Sequence, residues 1–185
     1  MISDRISVLE LAASERPNGI IVEIGTCGGH FTEQILSTWP TCSKLITVDP
    51  WEPYDSVPAF TASVQEERFK NTSAKFAKYS NVKIVRQHSH VAATTVEDTS
   101  VDFVYIDGDH SRAAVLLDLQ SWFPKLKKGA IMAGHDYYGD VKAVVDEFCA
   151  VNDLNVRATP DENSRPSAVY GPGWEGPSFW FRKLT

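Results

Sequence analysis

The apolar positions of this chain fall into two alternating rhythms. Short runs such as Ile20-Ile21-Val22-Glu23-Ile24 have the nearly continuous, β-branched character of strands buried on both faces. Between them lie longer stretches with apolar residues three or four apart, the spacing of a helix that buries one side. Read in order, the pattern predicts a helix over 2–15 carrying Ile6, Leu9 and Ala13, stopped by Pro17-Asn18-Gly19. A strand over 20–24 and a helix over 31–39 follow, the latter ended by Pro40. Next come a strand over 44–48, a polar helix over 63–79, a strand over 82–85 and a short helical piece over 91–95. The second half repeats the theme: strand 101–106, helix 111–126 with its end tightened by Pro124, strand 129–134 and helix 140–152. Strands at 154–158 and 178–182 close the series without a helix between them.

Alternating strands and helices imply an α/β domain whose parallel sheet is covered on both faces. The final two strands are expected to pair as an antiparallel hairpin at one edge. The expectation is one domain over 1–185, an N-terminal helix at 1–17 and a core at 18–185. A chain of 185 residues supports one sizeable core and hardly two.

Composition narrows the function classes. A hydrophobic fraction of 43% and a charged fraction of 23% are those of a globular protein. A net charge of −6 argues against a general nucleic-acid or anionic-membrane binder. Lys125, Lys127 and Lys128 cluster, but before a glycine they read as a solvated helix C-terminus. Cys27, Cys42 and Cys149 are odd in number and lack metal-finger spacing, so they read as reduced thiols of a cytoplasmic protein. No apolar run approaches the roughly 18 residues of a membrane span, and no signal-peptide pattern is expected at the N-terminus.

The chemistry concentrates where strands end. In a doubly wound sheet, ligands sit outside the carboxyl ends of the strands. Glu23 with Gly25, Asp49, Asp107, and His135 with Asp136 all fall at such ends. Gly25-Thr26-Cys27-Gly28-Gly29 breaks the first strand before a helix starts, a cradle of free N–H groups suited to acceptor or anionic groups. Glu23 is a lone acid in an apolar strand, suited to accept hydrogen bonds from loop amides or a ligand ammonium. Asp49 closes the next strand, where an acid can accept both hydroxyls of a ribose.

Glu-Ile-Gly-Thr-Cys-Gly-Gly is of the E/D-x-G-x-x-x-G type and, with Asp49, resembles the class I S-adenosylmethionine-dependent methyltransferases. The G-x-G-x-x-G dinucleotide fingerprint is absent. The resemblance covers about 20–184 and implies a Rossmann-like, doubly wound, seven-stranded sheet, mostly parallel with an antiparallel C-terminal strand. It implies that Glu23, Gly25, Thr26, Cys27, Gly28 and Gly29 hold the methionine part of S-adenosylmethionine and that Asp49 binds its ribose. Trp51 is expected either against the adenine or as an anchor of its own loop. Gln87-His88-Ser89 matches the segment that contacts adenine in this family, with His88 and Ser89 as candidates.

Val-Tyr-Ile-Asp107-Gly-Asp109-His110 and Ala-Gly-His135-Asp136-Tyr137 resemble the small bacterial O-methyltransferases, including the macrolide sugar and cephalosporin-hydroxylase-like groups. Asp107, His135 and Asp136 could converge on one cation, Mg²⁺ or Mn²⁺, that lowers the pKa of the attacking hydroxyl. The rival reading of Asp107-Gly-Asp-His is an acidic turn capping the next helix. Asp107 is thus a candidate for cofactor, metal and catalysis alike. His110 and His135 are the general-base candidates.

The expected acceptor is a small molecule. Its walls would come from the N-terminal helix and the loops at 50–61 and 161–177, with Tyr138, Tyr170 and Trp174 as aromatic candidates. A second copy of the chain could close the site. An NAD-dependent oxidoreductase and a non-catalytic cofactor-binding module stand as alternatives, the first opposed by the missing fingerprint.

Overall fold

The computed structural model describes residues 2–53, 60–160 and 176–184. Its elements run α1 (Arg5–Glu15), β1 (Ile20–Ile24), α2 (His30–Thr38), β2 (Lys44–Val48), α3 (Ala62–Phe76), β3 (Val82–Val85) and α4 (Ser89–Ala93). They continue β4 (Val101–Ile106), α5 (Arg112–Trp122), β5 (Leu126–Gly134), α6 (Gly139–Val151), β6 (Arg157–Ala158) and β7 (Phe179–Arg182). The strands form one sheet in the order β3-β2-β1-β4-β5-β7-β6. β3, β2, β1, β4 and β5 are parallel, and β7 runs antiparallel to both β5 and β6. The expected terminal hairpin is present, but with its second strand inserted between β5 and β6. No helix among the described residues is long and apolar enough to cross a membrane.

Each sheet face has its own core. Val8 and Leu9 of α1 and Phe31 and Ile35 of α2 pack with Ile21, Phe103 and Tyr105 on one face. Val115, Leu119 and Trp122 of α5 and Val144 and Val145 of α6 cover Val22, Val104 and Met132 on the other. Side chains of this size contribute about 1.5–3 kcal/mol each on full burial. This burial orders the sheet, and with it the strand ends that carry the polar residues.

The sequence pattern misplaces one boundary with consequences. α5 stops at Trp122 rather than near 126: Phe123, its C-cap, keeps helical backbone, but Pro124 has no N–H with which to continue the helical ladder. β5 then begins at Leu126, so Lys127 and Lys128 lie in a strand and not at a solvated helix end. Lys127 Nζ donates to Asp102 Oδ2 at 2.8 Å, joined by Ile20 N–H at 2.9 Å and by Arg16 on Oδ1 at 2.9 Å. Asp102, only 4% exposed, is thus fully partnered at the N-terminal end of the sheet. The helix end itself is capped from afar: Lys183 Nζ donates to the carbonyls of Phe123, Pro124 and Leu126.

Candidate active site

The turn after β1 is built for close approach. Gly25 has φ +87°, and a Cβ there would lie 1.9 Å from the Asp107 carbonyl oxygen. Its N–H donates to Val48 O at 2.8 Å, so the turn is stitched to the ends of both neighbouring strands. Gly29, φ +75°, lies beneath the Phe76 ring, 2.3 Å from where its Cβ would be. A Cβ on Gly28, by contrast, would enter open space. Gly29 is the N-cap of α2 and provides no side-chain cap, leaving first-turn N–H groups for another acceptor. Thr26 is 3% exposed and its buried hydroxyl has no hydrogen-bond partner.

Three acids close three adjacent strands: Asp49 after β2, Glu23 in β1 and Asp107 after β4. Asp49 Oδ2 accepts from Cys27 N–H at 2.8 Å and Oδ1 from Trp51 N–H at 2.7 Å. Burial raises its pKa, and these two bonds work against that rise. Glu23 is 1% exposed and accepts from the Thr32 hydroxyl. Burial pushes its pKa up to about 8, the Thr32 bond opposes this, and the fields of Asp107 and Asp49 add to it. Glu23 therefore carries a proton at neutral pH.

On the β3 side, a hollow of about 240 Å³ opens at the loop that follows Asp49, lined by Pro50, Glu52, Arg86, Gln87, His88 and Val91. His88 Nε2 stands 3.2 Å from the Glu52 carboxylate at its rim. Two sequence candidates do not face this hollow. Trp51 is 1% exposed, packs 5.1 Å from the Phe69 ring and donates from Nε1 to Cys27 O at 2.9 Å. Of its two readings, the structure takes the loop anchor. Ser89 is turned to α5, where its hydroxyl accepts from Trp122 Nε1 at 2.7 Å and bonds Asp118.

Beyond the turn, the ends of β4 and β5 bring together two acids and two histidines. His110 Nδ1 is 3.2 Å from Asp136 Oδ2 and its Nε2 is 3.5 Å from Asp107 Oδ1. The Asp107 hydrogen bond raises the His110 pKa, burial opposes it, and the fields of Asp136, Asp107 and Asp109 reinforce it. His135, 7% exposed, places Nδ1 3.0 Å from Asp136 Oδ1. Burial lowers its pKa, but the Asp136 bond and the Asp107 field leave it raised. Its Nε2 is buried with no partner. Asp136 holds this posture at φ +54°, a strained backbone for a non-glycine residue.

The sequence-derived metal set of Asp107, His135 and Asp136 changes by one member. The ligand atoms that lie within 4.8 Å of one another belong to Asp107, His110 and Asp136. His135 Nδ1 is committed to Asp136 and stands 3.9 Å from Asp107. Two carboxylates and an imidazole form a donor set that suits Mn²⁺ or Mg²⁺. Tyr138 is 59% exposed near this cluster, while Tyr170 and Trp174 lie outside the described residues.

Asp118 and Thr32 escaped the sequence reading. Asp118 shares a face of α5 with Val115, Leu119 and Trp122, a spacing that marks it as buried although its type suggests solvent.

A glycine turn after the first strand, an acid after the second and this strand order define a Rossmann-like methyltransferase architecture. A family model described as a methyltransferase domain matches residues 22–137, and the chain belongs to that family. Two curated relatives are the uncharacterized proteins y4gI of Sinorhizobium fredii and R132 of Acanthamoeba polyphaga mimivirus. They are each 28% identical, over 119 and 128 residues. The matches cover 63% and 66% of this chain but only 13% and 53% of those proteins. An rRNA methylase from Streptococcus thermophilus superposes with a TM-score of 0.69 at 14% identity, over 100% of this chain and 99% of that one. A Streptococcus mutans protein, SMU.1697c, solved in complex with SAH, gives 0.68 at 18% identity over 100% of both chains.

Proposed function

We propose that the chain is an S-adenosylmethionine-dependent O-methyltransferase acting on a hydroxyl of a small molecule. The observation that carries this reading is the junction at Gly25, whose turn is packed onto the Asp107 backbone. On this reading a cofactor held by the turn would lie directly against the Asp107–His110–His135–Asp136 cluster. The methionine part would lie over the turn and α2, the ribose against Asp49, and the adenine in the hollow beside His88.

In the reaction, the S–CH₃ bond breaks as the O–CH₃ bond forms, and the acceptor proton passes to a base. In its uncharged form His135, donating from Nδ1 to Asp136, would keep a lone pair on Nε2 for that proton; His110, between two carboxylates, is the rival base. The site acts mainly through positioning and charge. Asp107 and Asp136 offset positive charge arising as the base takes up the proton.

The convergence of Asp107, His110 and Asp136 supports a second element, a bound Mg²⁺ or Mn²⁺. Such an ion supplies charge that lowers the acceptor's pKa when bound. His135 would steady Asp136 from behind.

Titration calorimetry with S-adenosylhomocysteine tests the cofactor assignment. Wild-type protein should bind it, and Asp49→Ala should lose most of that affinity. No binding by wild type, or equal binding by the variant, would overturn the reading.

A further inference from the structure

A buried carboxylate outside the cluster bears on cofactor binding. Asp118 of α5 is 6% exposed and hydrogen-bonded to Ser89, and it lies under the loop that follows β4, with Oδ2 3.9 Å from where a Cβ on Gly108 would be. One turn further along α5, Trp122 Nε1 donates to the Ser89 hydroxyl at 2.7 Å. The hydroxyl therefore gives its proton to Asp118 and receives one from Trp122, and its rotamer is fixed from both sides. Ser89 opens α4, a five-residue helix preceded by His88 as its N-cap. A helix of that length has no stability of its own, and its placement comes from tertiary contacts. Buried Ala92 and Ala93 supply part of this, but they hold the far end. The near end, beside Gln87 and His88 of the hollow, is held by the grip on Ser89.

We propose that Asp118 is a positioning residue that, through Ser89, sets the wall of the hollow in which the cofactor's adenine lies. Asp118 does not touch the cofactor. This inference rests on the assignment of that hollow to S-adenosylmethionine. A carboxylate at this depth costs stability; burial raises the Asp118 pKa to about 6, and the Ser89 bond works against that rise. An apolar residue there would carry no such cost, but it would give up the bond to Ser89.

The test is a double-mutant cycle read by calorimetry with S-adenosylhomocysteine, alongside thermal melts. Asp118→Ala and Ser89→Ala should each weaken binding by about fivefold, the worth of one hydrogen bond. The double variant should be no weaker than either single one, because both act through the same contact. Asp118→Asn, whose amide oxygen still accepts from Ser89, should restore wild-type affinity. Additive losses, or an Asp118→Ala protein with altered melting but unchanged affinity, would overturn the positioning role. Wild-type protein that fails to bind would instead overturn the cofactor assignment and this inference with it.

Discussion

Glu23 offers a measurement in which the sign and the size both follow from burial. Its pKa stands at about 8 in the folded protein against 4.5 for the free side chain. Each unit is worth about 1.4 kcal/mol, so ionisation costs about 5 kcal/mol more in the folded than in the unfolded state. The native state holds the proton more firmly. The group's contribution is therefore intact below the unfolded pKa, declines as pH rises, and stops declining above the folded pKa. Glu23→Gln replaces the protonated acid with a neutral group of the same shape, whose oxygen can still accept from Thr32. Relative to wild type, the variant should gain little at pH 5, about 3 kcal/mol at pH 7 and close to 5 kcal/mol at pH 9. At about 2–4 °C per kcal/mol for a domain of this size, the pH 7 gain is about 6–12 °C in Tm. Paired thermal or urea melts at the three pH values measure the difference, and other titrating groups cancel between the two proteins. A difference that does not change with pH, or one that shrinks as pH rises, would refute the assignment of a buried, protonated Glu23.

Two further expectations concern the turn and the acid–histidine cluster. Gly25→Ala drives a Cβ into the Asp107 carbonyl and should cost at least about 3 kcal/mol or prevent folding. Gly28→Ala should change stability by less than about 1 kcal/mol yet weaken S-adenosylhomocysteine binding, since its methyl occupies open space above the turn; melts and calorimetry separate the two effects. For the cation, Mn²⁺ titrated into EDTA-stripped protein should bind wild type and not Asp107→Ala. EDTA should abolish methyl transfer, with Mg²⁺ or Mn²⁺ restoring it, and full transfer in chelator would exclude a metal role.

The sheet was legible because its strands are written as short, nearly continuous apolar runs, such as Val101 to Ile106 with Asp102 its one polar member. The acids were legible for the opposite reason: Asp49 and Asp107 break those runs where the strand stops. What sequence could not supply was direction across space. His110 and His135 are both histidines beside acids, and only backbone geometry, with Asp136 at positive φ, decides that His110 spans two carboxylates. Trp51 has the same ambiguity; its fate is decided by Phe69, eighteen positions away in the sequence, and by the Cys27 carbonyl. Asp118 was missed because residue type outweighed its position on the helix.

The place of β7 in the sheet bears on how the protein is made. Glu23 lies in β1, and Gly25, Asp49 and Asp107 directly follow β1, β2 and β4. These strands pair with one another and all precede β5 in the chain, so the half of the sheet proposed to hold the cofactor is paired early. β5, which carries His135 and Asp136 at its tip, keeps a bare edge until Phe179–Arg182 arrives and pairs with Ile131–Gly134. A chain emerging from the ribosome would thus assemble the cradle first and the acid–histidine cluster last, and a nascent chain halted before β7 should already recognise the cofactor while the chemistry waits.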